Sequence, residues 1–205
     1  MPRPPSPLLN RELIARTALE LCDEEGEQSL TMRRLATRLG VAAPSLYNHV
    51  ANSGEIVDLI HELIESEVDT SGLDDEDWRA GFAAFMRSHR AAFVRHPTAT
   101  ALIARRPIGT SKALATYEAL AAWLTRHGLD PATGLKVTAV IDYLTLGSAL
   151  GTFIGAFDPE LSGYREPYPA LTAALGAADW RSIDANGFEL GLEMLTAWLA
   201  ARIER

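Results

Sequence analysis

LTMRRLATRLGVAAPSLYNHV, residues Leu30 to Val50, decides the fold of this chain. It reads as two short helices joined by a tight turn. Thr31 suits the N-cap of the first helix, because its hydroxyl can accept from a free backbone N–H of the opening turn. Leu30 and Leu35 have the spacing of a hydrophobic staple, while Arg34 at the third helical position leaves no capping box. Leu35, Ala36 and Leu39 form an inward stripe at helical period. Gly40 fits the left-handed position that ends a helix. The second helix is expected over 43–49, with Pro44 in its first turn, where a missing N–H costs little. Leu46 and Val50, four apart, face inward. Ser45, Tyr47, Asn48 and His49 are left facing out.

That outer face has the chemistry of a duplex reader. Short polar side chains suit base edges, and cationic or hydroxylic donors suit phosphates. Ala42 and Ala43 are small enough to let the helix start approach a groove. Between Gln28 and Gly54 the chain has no Asp or Glu, but it has Arg33, Arg34 and Arg38. The plainer alternative is a surface helical hairpin carrying its arginines by chance.

Outside this stretch the chain is acidic. Its 205 residues carry a formal net charge of -8, with 47% hydrophobic and 22% charged residues. This is an ordinary balance for one or two globular domains with a real core. Net charge alone argues against nucleic acid, but its distribution reverses the argument. Up to Val50 acids and arginines balance, so the whole excess lies beyond. An acidic body limits nonspecific adhesion to DNA and leaves one face to dock.

Cys22 is the single cysteine, which rules out an intrachain disulfide. It falls on the inner face of the first helix and reads as a buried, inert thiol. Neither a signal peptide nor a membrane-spanning run is visible, so a cytoplasmic protein with no membrane partner is expected. Scarce lysine beside abundant arginine and alanine suggests a GC-rich bacterial genome.

Residues 1–8 are proline-rich and expected to be flexible. Asn10 caps a helix whose inner face is Leu13, Ile14, Thr17, Ala18, Leu21 and Cys22, and Gly26 ends it. Asn52 or Ser53 caps a linking helix that reaches about residue 69. A polar break over 71–77 marks the expected boundary. Residues 9–70 form a helix-turn-helix domain with its linking helix, and 71–205 form a helical body. Within the body helices are expected over 76–95, 98–105, 111–127, 131–157, about 170–175, and 183–203. Residues 158–169, with three prolines, read as a loop. Strand signals are absent, and the fold class is all-α.

Three stretches, LNRELIARTALELCDEEG, SLTMRRLATRLGV and APSLYNHVANSGEIVDLI, together resemble the N-terminal domain of the TetR family of bacterial transcriptional regulators. WRAGFAAFMRSHRAAFVRHP, the Arg106-Pro107 pair and DYLTLGSALGTF resemble, less specifically, the C-terminal domain of the tetracycline repressors within that family. The resemblance implies an all-helical homodimer on a palindromic operator, released by a small organic effector. It implies DNA contacts from Thr31, Arg33, Arg34, Ala43, Pro44, Ser45, Tyr47, Asn48, His49 and Ser53, the last standing where a lysine is common. The body supplies candidate pocket residues Phe85, Met86, His89, Phe93, Leu102, Ile103, Arg106, Tyr117, Leu120, Trp123, Leu124, Tyr143 and Leu144. Thr145 is a further polar candidate. Candidate dimer contacts are Leu146, Leu150, Phe153, Ile154, Leu192, Leu195, Trp198 and Leu199.

One departure bears on the effector. In the tetracycline repressors a His before the Arg-Pro turn and a Glu after the Thr-Leu-Gly segment serve a metal-chelated drug. Here those places hold Leu102 and Gly151, which cannot ligate Mg²⁺ or its waters. The effector is therefore expected to be a different, mostly apolar molecule. No metal site and no cofactor are expected.

Enzyme readings find little support. His61-Glu62 followed by Glu65 lacks the second His of a zinc protease and reads as a solvated helix face. His96, His127 and Cys22 form no ligand cluster, and no phosphate-binding glycine loop occurs. The remaining alternative is an all-helical binding or enzymatic module without operator binding.

Overall fold

The computed structural model describes residues 9–157 and 167–204, so the expected flexible segment 1–8 and most of the 158–169 loop lie outside the described residues. Among the described residues there are ten α-helices and no strand. The chain gathers into two compact units, one of residues up to 68 with 96–116, the other of 69–95 with 117–205. Residues 96–116 thus pack with the first unit, which a consecutive division at residue 70 does not include.

The first unit begins with α1 (Arg11–Glu25), whose N-cap Asn10 accepts from the Leu13 amide and whose inner face buries Ile14, Ala18, Leu21 and Cys22. A 3₁₀ turn over Glu27–Ser29 follows, fixed by the buried Ser29 hydroxyl donating to the Leu21 and Gly26 carbonyls. Next comes α2 (Met32–Leu39), where Thr31 caps as expected by accepting from the Arg34 amide. Gly40 ends it at φ 68°, ψ 28°, a conformation that strains any residue with a Cβ.

The recognition helix α3 is shorter than expected, covering only Ala43–Leu46. The Leu46 carbonyl accepts from both His49 and Val50, so the last turn tightens and Tyr47 to His49 form a turn. Helix α4 (Ser53–Glu65) is capped by Asn52, not Ser53, and stops four residues before the expected end. Two later segments complete the unit, α6 (Pro97–Ile103) and the first turns of α7 (Ser111–Arg126). Its core is Ile14, Leu21, Leu35, Leu46, Val50, Ile56, Ile60 and Ile64, all essentially inaccessible to solvent.

In the second unit, the polar break contains a 3₁₀ turn, Ser71–Asp74, packed on α5 (Trp78–Val94). Asp77, last of an acidic run, caps α5 through the amides of Arg79 and Ala80. The rest of α7 belongs here, followed by α8 (Pro131–Ala149), α9 (Pro169–Ala177) and α10 (Ile183–Ile203). Periodicity alone carries α8 to residue 157, but it ends at Leu150 because Gly151 takes φ 60° and turns the chain. The core stacks Phe82 on Trp123 at 5.2 Å between ring centroids. Phe85, Met86, Leu120, Leu124, Ile141 and Phe188 are buried alongside.

Candidate functional site

The two short helices present their outer residues as a single face. Tyr47, Asn48, Pro44, Thr31 and Ser53 are exposed, while Ala43, Ser45 and His49 are half-buried. Leu46 and Val50 anchor the opposite side, at 0% and 1% exposure. The three arginines differ in their surroundings. Arg34 pairs with Glu25, and Arg38 pairs with Glu24 at 2.5 Å, both carboxylates reaching over from α1. For Arg33, exposed on the same helix, no ion pair occurs among the described residues. Of the three, it is the cation best placed for an incoming polyanion.

Two residues that the sequence analysis passed over hold this face in place. Arg11 Nη1 donates to the His49 carbonyl at 2.6 Å and pairs with Glu55 Oε1 at 2.7 Å. The other Glu55 oxygen accepts from the Ala51 amide at 2.6 Å. The Ala51 amide, and then Arg11, hold the Glu55 carboxyl below the usual carboxylate range. The spacing Asn52-x-x-Glu55 is a capping-box pattern and was the available signal for Glu55.

The face of α4 over Asp58, Glu62 and Glu65 binds the segment 106–116. Arg106 forms two parallel bonds to Asp58, each 2.9 Å. Glu62 accepts from the Ser111 amide at 2.5 Å and from its hydroxyl at 2.8 Å, capping α7. Glu65, 4% exposed, accepts from the Thr116 hydroxyl at 2.9 Å and lies 3.4 Å from His61. The reading of His61 to Glu65 as a solvated face is therefore corrected. His61 and Glu65 are buried and Glu62 is half-buried, and the distant segment 106–116 bonds to both carboxylates.

The proposed pocket residues divide between the units. Phe85, Met86, His89, Phe93, Leu120, Trp123 and Leu124 are buried in the second unit. His89 lies between Phe85 and Phe93, at 5.7 Å and 5.3 Å. Tyr117 donates to Asp142 at 2.7 Å. The fully buried Thr145 hydroxyl has no hydrogen-bond partner among the described residues. Leu102, Ile103 and Arg106 belong to the first unit. There Leu102 and Arg106 line a groove of about 410 Å³ with Thr31 and Ser53. Tyr143 departs from an interior placement: it is 75% exposed on α8.

Leu144 lines a groove of about 460 Å³ between α8 and α10, with Val137, Val140, Met194, Leu195 and Trp198. Among the proposed dimer contacts, Leu192, Leu195 and Leu199 are corrected. They are 3%, 7% and 0% exposed and belong to the unit's own buried core. Leu146 and Leu150 are half-buried, Phe153 is exposed, and the Ile154 side chain lies outside what is described. On α8 and α10 the exposed large apolar residues are Leu135, Val140, Tyr143, Leu190, Met194 and Trp198. The i, i+4, i+8 spacing of Leu190, Met194 and Trp198 was the signal for that face. Among the described residues no group of three or more His, Cys, Asp or Glu is arranged to hold a metal ion, and no helix is long and apolar enough to cross a membrane.

Comparison with known proteins agrees with this geometry. Residues 14–53 match the model for bacterial regulatory proteins of the tetR family, and residues 71–203 match the tetracyclin repressor-like C-terminal domain. An HTH-type transcriptional regulator of Saccharopolyspora erythraea is 32% identical over 207 residues, covering 95% of this chain and 86% of that protein. The class A tetracycline repressor protein from transposon 1721, of Escherichia coli, is 32% identical over 200 residues, covering 95% and 92%. Among solved structures, ActR from Streptomyces coelicolor in complex with actinorhodin superposes at a TM-score of 0.78 with 27% identity, covering 95% of this chain and 97% of that one. The acid-free helical pair, the all-helical body and the two domain matches agree: the chain belongs to the TetR family of bacterial transcriptional regulators.

Proposed function

We propose that this regulator is a repressor that binds a palindromic operator as a homodimer and leaves it when a small, mostly apolar organic molecule binds the body. The observation that carries the reading is the exposed face of Arg33, Tyr47 and Asn48, set in a stretch without carboxylates and backed by a fully buried Leu46 and Val50. In this reading Arg33 with Ser45, Tyr47 and Asn48 meets base edges and backbone. Thr31, Tyr47, His49 and Ser53 position phosphates, and residues 71–205 bind effector and partner subunit.

One helix-turn-helix covers a half-site, so two copies must sit about one DNA turn apart, roughly 34 Å, or a multiple of it. The apolar face of α8 and α10 supports a second copy as its occupant, because it joins Tyr143, Met194 and Trp198 to a groove with mostly apolar walls. For the effector, buried aromatic side chains and the Thr145 hydroxyl, without a partner among the described residues, suit an apolar molecule with few polar groups. A related regulator, ActR, is known with actinorhodin bound. We take from it the size class of an organic effector, not its identity. Leu102 and Gly151 oppose a metal-chelated drug. Effector binding releases DNA only by favouring a dimer whose two readers no longer match operator spacing.

Selection of duplexes from a random pool by the full-length protein tests the reading. Recovery of a two-fold symmetric sequence, bound tightly and lost on adding a cognate small molecule, supports it. Sequence-blind binding that is insensitive to salt overturns it.

A further inference from the structure

We infer that Arg11 and Glu55 are positioning residues that fix the recognition turn for base discrimination without touching DNA themselves. The inference rests on the operator-binding reading above. Helix α3 is a single turn, too short to hold its own geometry. Beyond it, Tyr47 to His49 form a turn outside the helix. Arg11, the first residue of α1, ties the end of that turn by donating to the His49 carbonyl at 2.6 Å. The same guanidinium is held by Glu55 at 2.7 Å, and Glu55 in turn takes the Ala51 amide at 2.6 Å. Asn52 closes the set by accepting from the Glu55 amide at 3.1 Å.

Three elements are therefore tied at one point: the start of α1, the exit of the recognition turn and the start of α4. Leu46 and Val50 fix how deep the turn sits, through burial. The Arg11–Glu55 pair fixes the direction in which Tyr47, Asn48 and His49 leave it. A half-exposed arginine beside a reader has an obvious rival role, a direct phosphate contact. The two roles differ in their dependence on Glu55 and in salt behaviour. A phosphate contact weakens binding to any sequence and adds to the salt slope, whereas a brace acts on the difference between sequences.

The test uses the full-length protein and the duplex it selects from a random pool, with a scrambled duplex of equal length as control. Affinity is measured by fluorescence anisotropy across a salt series for Arg11→Met, Glu55→Gln, the double variant and Arg11→Lys. Circular dichroism checks that each variant is folded. The expected result is that Arg11→Met and Glu55→Gln each reduce the preference for selected over scrambled duplex by roughly tenfold, the scale of one lost base contact. The double variant is no worse than the weaker single one, the Glu55→Gln salt slope is unchanged, and Arg11→Lys recovers part of the preference. If Arg11→Met weakens both duplexes equally and flattens the salt slope by about one while Glu55→Gln has no effect, Arg11 is a phosphate contact and the brace is refuted. Unchanged preference in both single variants refutes it too. Should Arg11→Met unfold, the Lys and Gln variants are read by the same criteria. Failure of the unaltered protein to select any sequence refutes the operator reading instead, so the two failures are separable.

Discussion

Single side chains carry most of the chemistry proposed for this regulator. Arg33 differs from Arg34 and Arg38 in lacking a carboxylate from α1, so its charge remains available. Replacing it by Ala should weaken binding to the selected duplex by about 1–3 kcal/mol if it pairs with guanine, measured by anisotropy against the scrambled control. Cys22 is the opposite case. Burial, then Asp23 and Glu27, push its thiol up to about 11, so the thiolate is scarce at neutral pH. Native protein should react with iodoacetamide far more slowly than denatured protein, followed by mass spectrometry. Because the folded value is raised, the thiol's contribution to stability is full below about 9 and is lost as pH rises toward about 11. Leu102 and Gly151 make a third prediction. Tetracycline with Mg²⁺ should give no saturable rise in melting temperature, since neither residue offers a ligand to the metal or its waters. The outward residues of the reader were legible in the sequence, because period and caps reveal which side of a short helix is apolar. The Arg11–Glu55 pair was not read, since its partners stand 44 positions apart and only folding joins them.

At the level of elements, the caps were readable and the lengths less so. Asn10, Thr31 and Asn52 each cap the helix that follows them. Their hydroxyl and amide oxygens act on amides three residues away, so local sequence suffices. Helix ends without such chemistry were misjudged, as at α3, α4 and the C-terminal end of α8. The largest correction is α4. Its acidic residues look solvated in sequence, yet His61 and Glu65 are buried and segment 106–116 bonds to Asp58, Glu62 and Glu65. The bond from Thr116 to Glu65 is buried and meets a carboxylate, the kind of hydrogen bond that contributes about 1.5–3 kcal/mol. Thr116→Val keeps the shape and removes the donor. It should lower stability by that amount in urea denaturation, with the slope of the transition unchanged.

For the whole molecule, the apolar face of α8 and α10 decides the proposed assembly. Met194, 65% exposed, lines the groove and makes no claim on the unit's own core. Met194→Glu should therefore leave the fold intact by circular dichroism and convert a sedimenting dimer to monomer. Binding to the full palindrome should fall much more than binding to a half-site. A dimer unaffected by that charge would place the interface elsewhere. The all-α class, the helix-turn-helix and the split between a neutral reader and an acidic body follow from periodicity, capping residues and charge order, which act over a few neighbouring positions and need no distant partner. Which face of α10 turns to its own core, how Leu192 and Leu199 part from Met194 and Trp198, and how residues 96–116 return to α1 and α4 depend on helices far away in the chain. Apolar spacing is the same on a face that meets a neighbouring helix and on one left open, so the assembled helices alone tell them apart.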